Sequence, residues 1–231
     1  MNESVIRDYV VERVIARRGK LHWFEELDPA RTAFVIIDMQ ATFCEPGAPA
    51  EVPEARQIIP RINEFAHGLR DRGVRVVWVL HANTQVGGVS DWEVFFNYVV
   101  DNDVRTRTIA SLEPGRQAVW SELLVEENDL TVIKNRYSAL IPGSSPLERI
   151  LRNLDVDTVL IGGTKTNVCC ESTGRDAMML DFKVVMVEDC CAALSVSEHQ
   201  ATLETFIQQF GDVRSSQEVL ALLDSNLTRG C

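Results

Sequence analysis

The chain alternates short apolar runs with segments in which apolar residues recur at helical spacing. The first run, AFVIID, begins at Ala33 and ends on Asp38, and the second, VRVVWVL, follows Gly73. Apolar runs of this length are typical of strands buried on both faces of a parallel sheet. Between the two runs, apolar residues at helical spacing are Ile58, Ile59, Ile62, Phe65, Ala66 and Leu69. The spacing predicts a helix over 55–72 that ends before Gly73, and so a strand–helix–strand unit.

The same alternation continues through the C-terminal half of the chain. Further strands are predicted at DLTVIK (129–134), DTVLIGG (157–163), KVVMVED (183–189) and DVRS (212–215). Helices are predicted over 146–154, 167–180 and 197–210, and the third of these is predicted to be the last helix of the chain. Strands that alternate with helices at this rhythm form right-handed βαβ units. The sequence therefore predicts an α/β fold, a single Rossmann-like domain with a central parallel β-sheet flanked by helices on both faces.

Two segments fall outside this rhythm. Residues 1–28 are predicted to form an N-terminal helical arm that packs on a neighbouring subunit, and residues 29–231 are predicted to form the domain. Between His81 and Trp120 the pattern is irregular, which predicts a covering loop with short helices. This loop holds an aromatic cluster of Trp92, Phe95, Phe96 and Tyr98. The sequence leaves open whether the 92–98 loop closes a pocket on its own chain or on a neighbouring subunit.

Composition and charge argue against several classes of protein. Of the 231 residues, 45% are hydrophobic and 25% are charged, which is ordinary for a globular domain. The formal net charge is -11 and no block of Lys and Arg occurs, so nucleic acid and membranes are not expected as partners. The stretch 1–20 is rich in charged residues, unlike a secretion signal, and no apolar run reaches membrane-spanning length. We therefore expect a cytoplasmic protein.

The cysteines form neither a disulfide framework nor a zinc-ligand pattern. The six are Cys44, the adjacent pairs Cys169–Cys170 and Cys190–Cys191, and Cys231. Adjacent cysteines rarely bridge each other, and the chain has no C-x-x-C pair. This usage is consistent with a reducing compartment. Cys44, Cys170, Cys190 and Cys191 are interpreted as packed core residues, because free cysteine is commonly a small buried hydrophobe.

Candidate chemistry lies at the predicted strand ends. Asp38 ends one strand, Lys134 ends another, and the turn from Gly162 to Cys169 follows a third. The carboxyl ends of parallel strands meet at the edge where open α/β sheets bind ligands. There a cation and a helix N-terminus would lower the pKa of a thiol, and a carboxylate would take its proton. Taken singly, each residue has an ordinary alternative interpretation, as a cap, a solvated charge or a core residue.

Three segments together resemble a known family. They are IIDMQATF with Asp38 and Gln40, KNRYSAL with Lys134, and IGGTKTNVCCEST followed by RDAMMLDFKVVMVEDCCAA. Their order and spacing are similar to those of the isochorismatase-like cysteine hydrolases over about 33–215. This superfamily includes nicotinamidase, N-carbamoylsarcosine amidase, ureidoacrylate amidohydrolase and biuret hydrolase. The TNVC, EST, RDAMML and KNRYSAL segments resemble the ureidoacrylate and biuret branch most.

The resemblance implies roles for individual residues. Cys169, which follows the T-N-V element, corresponds to the nucleophile rather than Cys170, and Asp38 and Lys134 complete its catalytic triad. A cis peptide is implied between Thr164 and Lys165. The backbone N–H groups of Lys165 and Cys169 would then form the oxyanion hole that stabilises a tetrahedral intermediate.

The pocket residues and the metal content are further expectations. Gln40, His81 and Tyr137 are candidate substrate-binding residues, although each has a structural role as its alternative. Nicotinamidases carry an Asp-x-His and a later His as metal ligands, whereas the corresponding stretch LHANTQVGGVSDWEVF holds one histidine. One imidazole does not make such a site. We therefore expect no metal and no cofactor.

The function that the resemblance implies is cleavage of a small amide, ureido or carbamoyl C–N bond through a thioester on Cys169. The expected partners are this small-molecule substrate and further copies of the chain, as a homo-oligomeric dimer or tetramer. One alternative is vinyl-ether hydrolysis of the isochorismatase type, although that branch has no cysteine nucleophile. Another is a noncatalytic, redox-responsive protein of the same fold. Cys170, Leu140 and the IPGSSP turn depart from the family pattern and leave the substrate open.

Overall fold

The computed structural model describes residues 6–115 and 117–227, with side chains described as far as residue 225. The first five residues of the predicted arm and Cys231 lie outside the described residues. Within the described part of the chain, no helix combines the length and apolar character that crossing a bilayer requires.

A parallel sheet forms the centre of the molecule. The strands are β1 (Thr32–Ile37), β2 (Arg75–His81), β3 (Gln85–Val86), β4 (Val89–Ser90), β5 (Leu130–Lys134), β6 (Thr158–Thr164), β7 (Lys183–Ala192) and β8 (Asp212–Arg214). Six of them form one sheet in the order β5-β2-β1-β6-β7-β8, and every neighbouring pair is parallel. Strands β3 and β4 form a separate antiparallel hairpin. The predicted α/β fold with a central parallel sheet is confirmed.

The helices include one that the sequence pattern missed. They are α1 (Asp8–Arg18), α2 (Ala41–Cys44), α3 (Ile59–Arg70), α4 (Asn102–Ser111), α5 (Leu147–Asn153), α6 (Glu171–Met179), α7 (Val196–Gln209) and α8 (Ser216–Leu227). Short 3₁₀ turns occupy Pro29–Arg31 and Pro53–Arg56, and π-helical turns occupy Phe95–Val99 and Thr166–Cys170. The prediction that the helix over 197–210 is the last of the chain is wrong, because α8 follows β8.

The side chains of the central strands alternate between two hydrophobic cores, one on each face of the sheet. In β1, Val35 and Ile37 belong to the core that includes residues of α5, α6 and α7. Phe34 and Ile36 belong to the core that includes residues of α3 and α8. Every residue of β1 is buried, as expected for a strand covered on both faces. Each fully buried large apolar side chain contributes about 1.5–3 kcal/mol to this packing.

The N-terminal arm packs against its own chain. Val10 and Val14 of α1 are buried in the same core as Leu203 of α7. The Arg7 guanidinium also forms a salt bridge with the Glu204 carboxylate of α7. The arm therefore has a packing partner within one chain, and its expected contact with a neighbouring subunit stays a prediction.

The stretch between β2 and β5 covers one end of the sheet. It contains the β3–β4 hairpin, the π-helical turn Phe95–Val99 and α4. This composition agrees with the prediction of an irregular covering segment with short helices. Trp92 and Phe95 of the segment form part of the wall of the site described next.

Candidate active site

Four neighbouring strands bring functional side chains to one edge of the sheet. Lys134 is the last residue of β5 and lies opposite His81, the last residue of β2, in the strand register. Asp38 directly follows β1, and Thr164 ends β6. The strand order β5-β2-β1-β6 makes these four ends adjacent. The structure therefore brings Asp38 and Lys134 together at the edge where the sequence placed them.

A buried ion pair forms the centre of the site. Lys134 Nζ lies 2.9 Å from Asp38 Oδ2, and both side chains are 0% exposed. Lys134 Nζ also donates to the Arg136 carbonyl oxygen at 3.0 Å and lies 3.0 Å from His81 Nδ1. An ammonium group has three protons, so each has an acceptor in this arrangement. Full satisfaction is what allows a charged lysine to be buried here.

Asp38 has an unusual backbone and one unengaged oxygen. Its φ is +58°, a left-handed conformation that non-glycine residues rarely adopt outside constrained sites. Its N–H donates to the Val79 carbonyl at 2.8 Å, and its own carbonyl accepts from the Gln40 N–H at 2.9 Å. Within the described part of the chain, the buried Oδ1 atom has no hydrogen bond of ordinary geometry. That oxygen is available to receive a proton.

Strand β6 approaches β1 so closely that only glycine fits at one position. Gly163 has a φ of +105°, and a Cβ atom there would lie 2.1 Å from the Ile37 carbonyl oxygen. The pairing of β6 with β7 also shifts register just before Gly163. Glycine is therefore required by both conformation and space. The close approach places the end of β6 beside Asp38, the residue that follows Ile37.

Cys169 lies in the π-helical turn Thr166–Cys170, which immediately precedes α6. The peptide bond between Thr164 and Lys165 is cis, in agreement with the family resemblance. The Cys169 thiol is close enough to interact with both Asp38 and Lys134. The sequence predicted a helix from 167 onward, whereas the regular helix begins at Glu171. The nucleophile candidate therefore lies on a π-helical turn instead of in the first turn of an α-helix.

Cys170 faces away from this group. Its thiol points to the Gly162 carbonyl oxygen at 3.7 Å and neighbours the Cys191 thiol. Cys44, Cys170, Cys190 and Cys191 are all buried, as expected for core residues. Of the adjacent pair, only Cys169 lines the cavity described below.

Burial changes the acid–base properties of the thiol and the carboxylate. Burial and the nearby Asp38 raise the pKa of the Cys169 thiol well above its ordinary value, although Lys134 opposes this effect. The expectation that the surroundings lower this pKa is therefore wrong. Burial also raises the pKa of Asp38, with Lys134 and the thiol acting in the opposite direction. The resting site thus contains a neutral thiol beside a carboxylate that is a stronger base than an exposed one.

A small cavity with aromatic walls opens onto Cys169. Its volume is about 80 Å³. The lining residues are Thr42, Phe43, Ala50, His81, Trp92, Phe95, Thr108, Leu112, Tyr137, Lys165, Val168 and Cys169. The Trp92 ring stacks on His81 at 5.8 Å and on Phe95 at 4.9 Å, and meets Tyr137 edge-on at 4.7 Å. The 92–98 segment therefore contributes a wall to the pocket of its own chain.

The sequence profile of the isochorismatase domain matches residues 32–218. The chain belongs to the isochorismatase family. It is 30% identical over 173 residues to a probable inactive nicotinamidase from Arabidopsis thaliana, covering 74% of this chain and 86% of that protein. A cysteine hydrolase from Pseudomonas syringae is 28% identical with a TM-score of 0.74, covering 97% of this chain and 99% of the other.

The family fold is shared more widely. N-carbamoylsarcosine amidase from Thermoplasma acidophilum is 21% identical, with a TM-score of 0.62 over 80% of this chain and 96% of the other. At this identity the likeness shows the fold alone. The match to the family profile and the likeness to the Pseudomonas syringae cysteine hydrolase place the chain among the isochorismatase-like cysteine hydrolases.

Of the three candidate substrate-binding residues in this isochorismatase-family chain, two line the cavity and one does not. His81 and Tyr137 line the cavity. Gln40 is not among the lining residues, because its amide is engaged with the backbone at the end of β2. Its Oε1 accepts from the His81 N–H at 2.6 Å and its Nε2 donates to the His81 carbonyl at 3.0 Å and to Gln117. Gln40 thus joins the ends of β1 and β2, a different place from the one expected.

Several site residues gave no signal in the sequence. The Arg136 contribution is a backbone carbonyl, and such a group is present at every position of a chain. Thr108 and Leu112 line the cavity from the region of α4, whose position relative to the sheet is a tertiary property. Among the described residues, no three His, Cys, Asp or Glu side chains form a group that would hold a metal ion.

Proposed function

We propose that this chain is a cysteine-dependent amidohydrolase that cleaves the C–N bond of a small amide, ureido or carbamoyl compound. The observation that carries the proposal is the position of Cys169. Its thiol lines the aromatic cavity and interacts with both members of the buried Asp38–Lys134 pair. A nucleophile, a base and a cation in mutual contact are the minimum equipment for acyl transfer.

In the first step, Cys169 Sγ attacks the carbonyl carbon of the substrate while Asp38 Oδ1 takes the thiol proton. Proton transfer during the attack suits a thiol whose pKa is raised, because little thiolate exists beforehand. The new C–S bond places a negative charge on the carbonyl oxygen. The backbone N–H groups of Lys165 and Cys169, both at the cavity, are the proposed donors to that oxygen.

In the second step, Asp38 returns the proton to the leaving nitrogen. The C–N bond breaks, ammonia or an amine departs, and the acyl or carbamoyl group stays on sulfur as a thioester. Water then attacks the thioester carbon while Asp38 accepts one water proton. The C–S bond breaks, the acid is released, and the proton on Asp38 returns to the thiol.

Lys134 makes this sequence feasible in a buried site. An isolated Asp38 carboxylate without a cation would be strongly destabilised by burial. Lys134 stays charged, because Asp38 and Cys169 raise its pKa against the opposing effect of burial. It therefore stabilises the carboxylate at rest and the developing thiolate during attack.

The cavity supports a small, flat substrate. Its volume of about 80 Å³ suits a small acyl or carbamoyl group, and its largely aromatic and apolar lining suits a planar amide or ureido group. We extend the proposal to the ureidoacrylate and biuret type of substrate on the strength of the TNVC and RDAMML segments. Vinyl-ether hydrolysis is the weaker candidate, since that chemistry uses no thiol.

The test is ammonia release from a panel of ureido acids, biuret, carbamoyl amino acids and simple amides. Wild-type protein is compared with Cys169→Ala and with the matched control Cys170→Ala. We expect turnover of at least one compound, abolished in Cys169→Ala and largely kept in Cys170→Ala. Equal loss in both variants, or turnover that survives Cys169→Ala, contradicts the proposal.

A further inference from the structure

The side chain of His81 has both ring nitrogens engaged, although it lines the cavity. Nδ1 lies 3.0 Å from Lys134 Nζ, and Nε2 lies 2.9 Å from Asn83 Oδ1. The ring is buried, with 4% of its residue surface exposed. A histidine with both nitrogens used has no donor or acceptor left for a substrate. Its polar atoms therefore serve the protein, and only its ring face serves the pocket.

Lys134, His81, Asn83 and Asp91 form a hydrogen-bonded series, and the positions of its hydrogens follow from the two end residues. At one end, the Asp91 carboxylate is an acceptor only, and Asn83 Nδ2 donates to its Oδ1 at 2.8 Å and to the Asn135 carbonyl at 3.2 Å. The amide nitrogen of Asn83 thus faces these oxygens and its Oδ1 faces His81. Nε2 of His81 must then carry the proton that it donates to Asn83.

The contact between Lys134 and His81 independently indicates the same Nε2–H tautomer. The Lys134 ammonium is a donor only, so the nitrogen that faces it, Nδ1 of His81, must present a lone pair. A protonated Nδ1 would place two N–H groups against each other in a buried site. Burial and the positive charge of Lys134 hold the pKa of His81 well below its ordinary value, which agrees with a neutral ring.

We propose that His81 is a positioning residue for Lys134, held as the neutral Nε2–H tautomer by the Asn83–Asp91 pair. This proposal rests on the proposed function, in which Lys134 stabilises Asp38 and Cys169. A lysine ammonium ends a flexible stem and has no preferred direction of its own. By accepting one of its protons, His81 leaves another directed at Asp38 Oδ2.

Arg136 connects the hydrogen bonds around Lys134 with the aromatic wall of the pocket. Its carbonyl accepts the third Lys134 proton, while its guanidinium donates to the Asp91 carbonyl at 2.6 Å. The guanidinium also lies 5.3 Å from the centre of the Trp92 ring. The residues that orient Lys134 therefore also hold the aromatic wall against which His81 stacks.

The first test compares His81→Asn with His81→Leu. In His81→Asn, the amide oxygen of asparagine is bonded to Cγ, as Nδ1 is in histidine. A hydrogen-bond acceptor for the Lys134 ammonium is therefore kept. In His81→Leu that acceptor is lost. The readout is the rate of alkylation of Cys169 by iodoacetamide at fixed pH, measured on the peptide that contains it, which requires no substrate.

We expect alkylation in His81→Leu to slow by about tenfold or more, because a hydrogen bond to a charged group is lost. His81→Asn should recover most of the rate. Where a substrate is available, kcat should follow the same order. A wild-type alkylation rate in folded His81→Leu overturns the proposal.

The second test reads the tautomer directly in the wild-type protein. Nitrogen-15 spectra of the ring distinguish Nε2–H, Nδ1–H and imidazolium forms, and His81→Asn identifies which signals of the four histidines belong to His81. We expect the Nε2–H form to persist from about pH 5 to 8, the range over which an ordinary histidine titrates. An Nδ1–H form, or an imidazolium in that range, overturns the proposal.

The proposed function and the positioning role of His81 are tested independently of each other. If no panel compound is hydrolysed, the proposed function fails, while the tautomer and the alkylation order still decide the role of His81. If turnover is found but the tautomer is wrong, the function stands and the positioning role falls.

Discussion

The Nζ atom of Lys134 lies 2.9 Å from Oδ2 of Asp38, with both side chains sealed from solvent. The two residues are separated by 96 positions in the chain and meet because they stand at the carboxyl ends of nearby parallel strands. A buried pair of this kind is costly to break, since either partner alone is an uncompensated buried charge. The pair therefore links the stability of the fold to its proposed chemistry.

Asp38→Asn should reduce turnover by about 10²-fold or more in protein that still folds, although its stability should fall because Lys134 is left buried without its anion. The amide fills the same space but neither accepts the thiol proton nor delivers one to the leaving nitrogen. Removing the negative charge beside Cys169 should also move its alkylation profile to lower pH, because Asp38 raises the thiol pKa. Turnover near the wild-type rate would show that Asp38 is not the proton carrier.

Lys134→Met should move the alkylation profile of Cys169 in the opposite direction, to higher pH, because Lys134 lowers the thiol pKa. It should also lower the free energy of unfolding by about 3–5 kcal/mol, since it leaves the Asp38 carboxylate buried without a cation. Urea denaturation measures this loss. The matched control is Lys20→Ala, which breaks the solvent-screened, exposed Lys20–Glu25 pair and should cost far less. Equal losses in the two variants would contradict the importance of the buried pair.

Gly163→Ala should destabilise the fold by about 3 kcal/mol or more, because strain at positive φ adds to overpacking. The added Cβ atom would lie 2.1 Å from the Ile37 carbonyl oxygen. Gly143 is a suitable control, because it also has a positive φ but has open space around its Cβ position. Gly143→Ala should cost only the conformational strain, about 1–2 kcal/mol. Thermal unfolding of the two variants gives the comparison, and similar losses would refute the close-approach argument.

Glu188 should make stability depend on pH. Burial, together with the nearby Glu218 and Asp189, raises its pKa from 4.5 to about 7. Between these values the folded protein holds a proton that the unfolded chain has released, so stability falls as pH rises through this range. Glu188→Gln should flatten the slope of unfolding free energy against pH between 4.5 and about 7. A slope that is unaffected by Glu188→Gln would show that another group is responsible.

The strand ends that carry Asp38 and Lys134 were predictable because their signal is local. Each follows an apolar run, and parallel strands bring such ends to one edge. The start of helix α8, which the hydrophobic pattern alone does not predict, also has a local signal in the sequence. Ser215 and Glu218 form a capping box, in which the Ser215 N–H donates to Glu218 and the Glu218 N–H donates to Ser215 Oγ. This pattern marks the start of a helix directly after β8.

Other properties of the site depend on three-dimensional packing. The sequence predicts a lowered pKa for the Cys169 thiol, and this prediction is wrong. Burial outweighs the neighbouring Lys134 cation and raises the pKa. Gln40 was placed in the pocket because nothing in the sequence indicates that its amide pairs with the backbone of His81. Asn83 and Arg136 were missed for the same reason. Their importance comes from the contacts that orient Lys134 and His81.

Mass spectrometry of the protein, quenched with acid during turnover of a hydrolysed substrate, detects the proposed thioester on Cys169 itself. We expect an acyl or carbamoyl adduct on the peptide that contains Cys169 and Cys170. Cys170→Ala should keep this adduct and Cys169→Ala should lose it together with ammonia release. Ammonia release with no adduct on Cys169, or an adduct that persists in Cys169→Ala, would show that Cys169 is not the nucleophile.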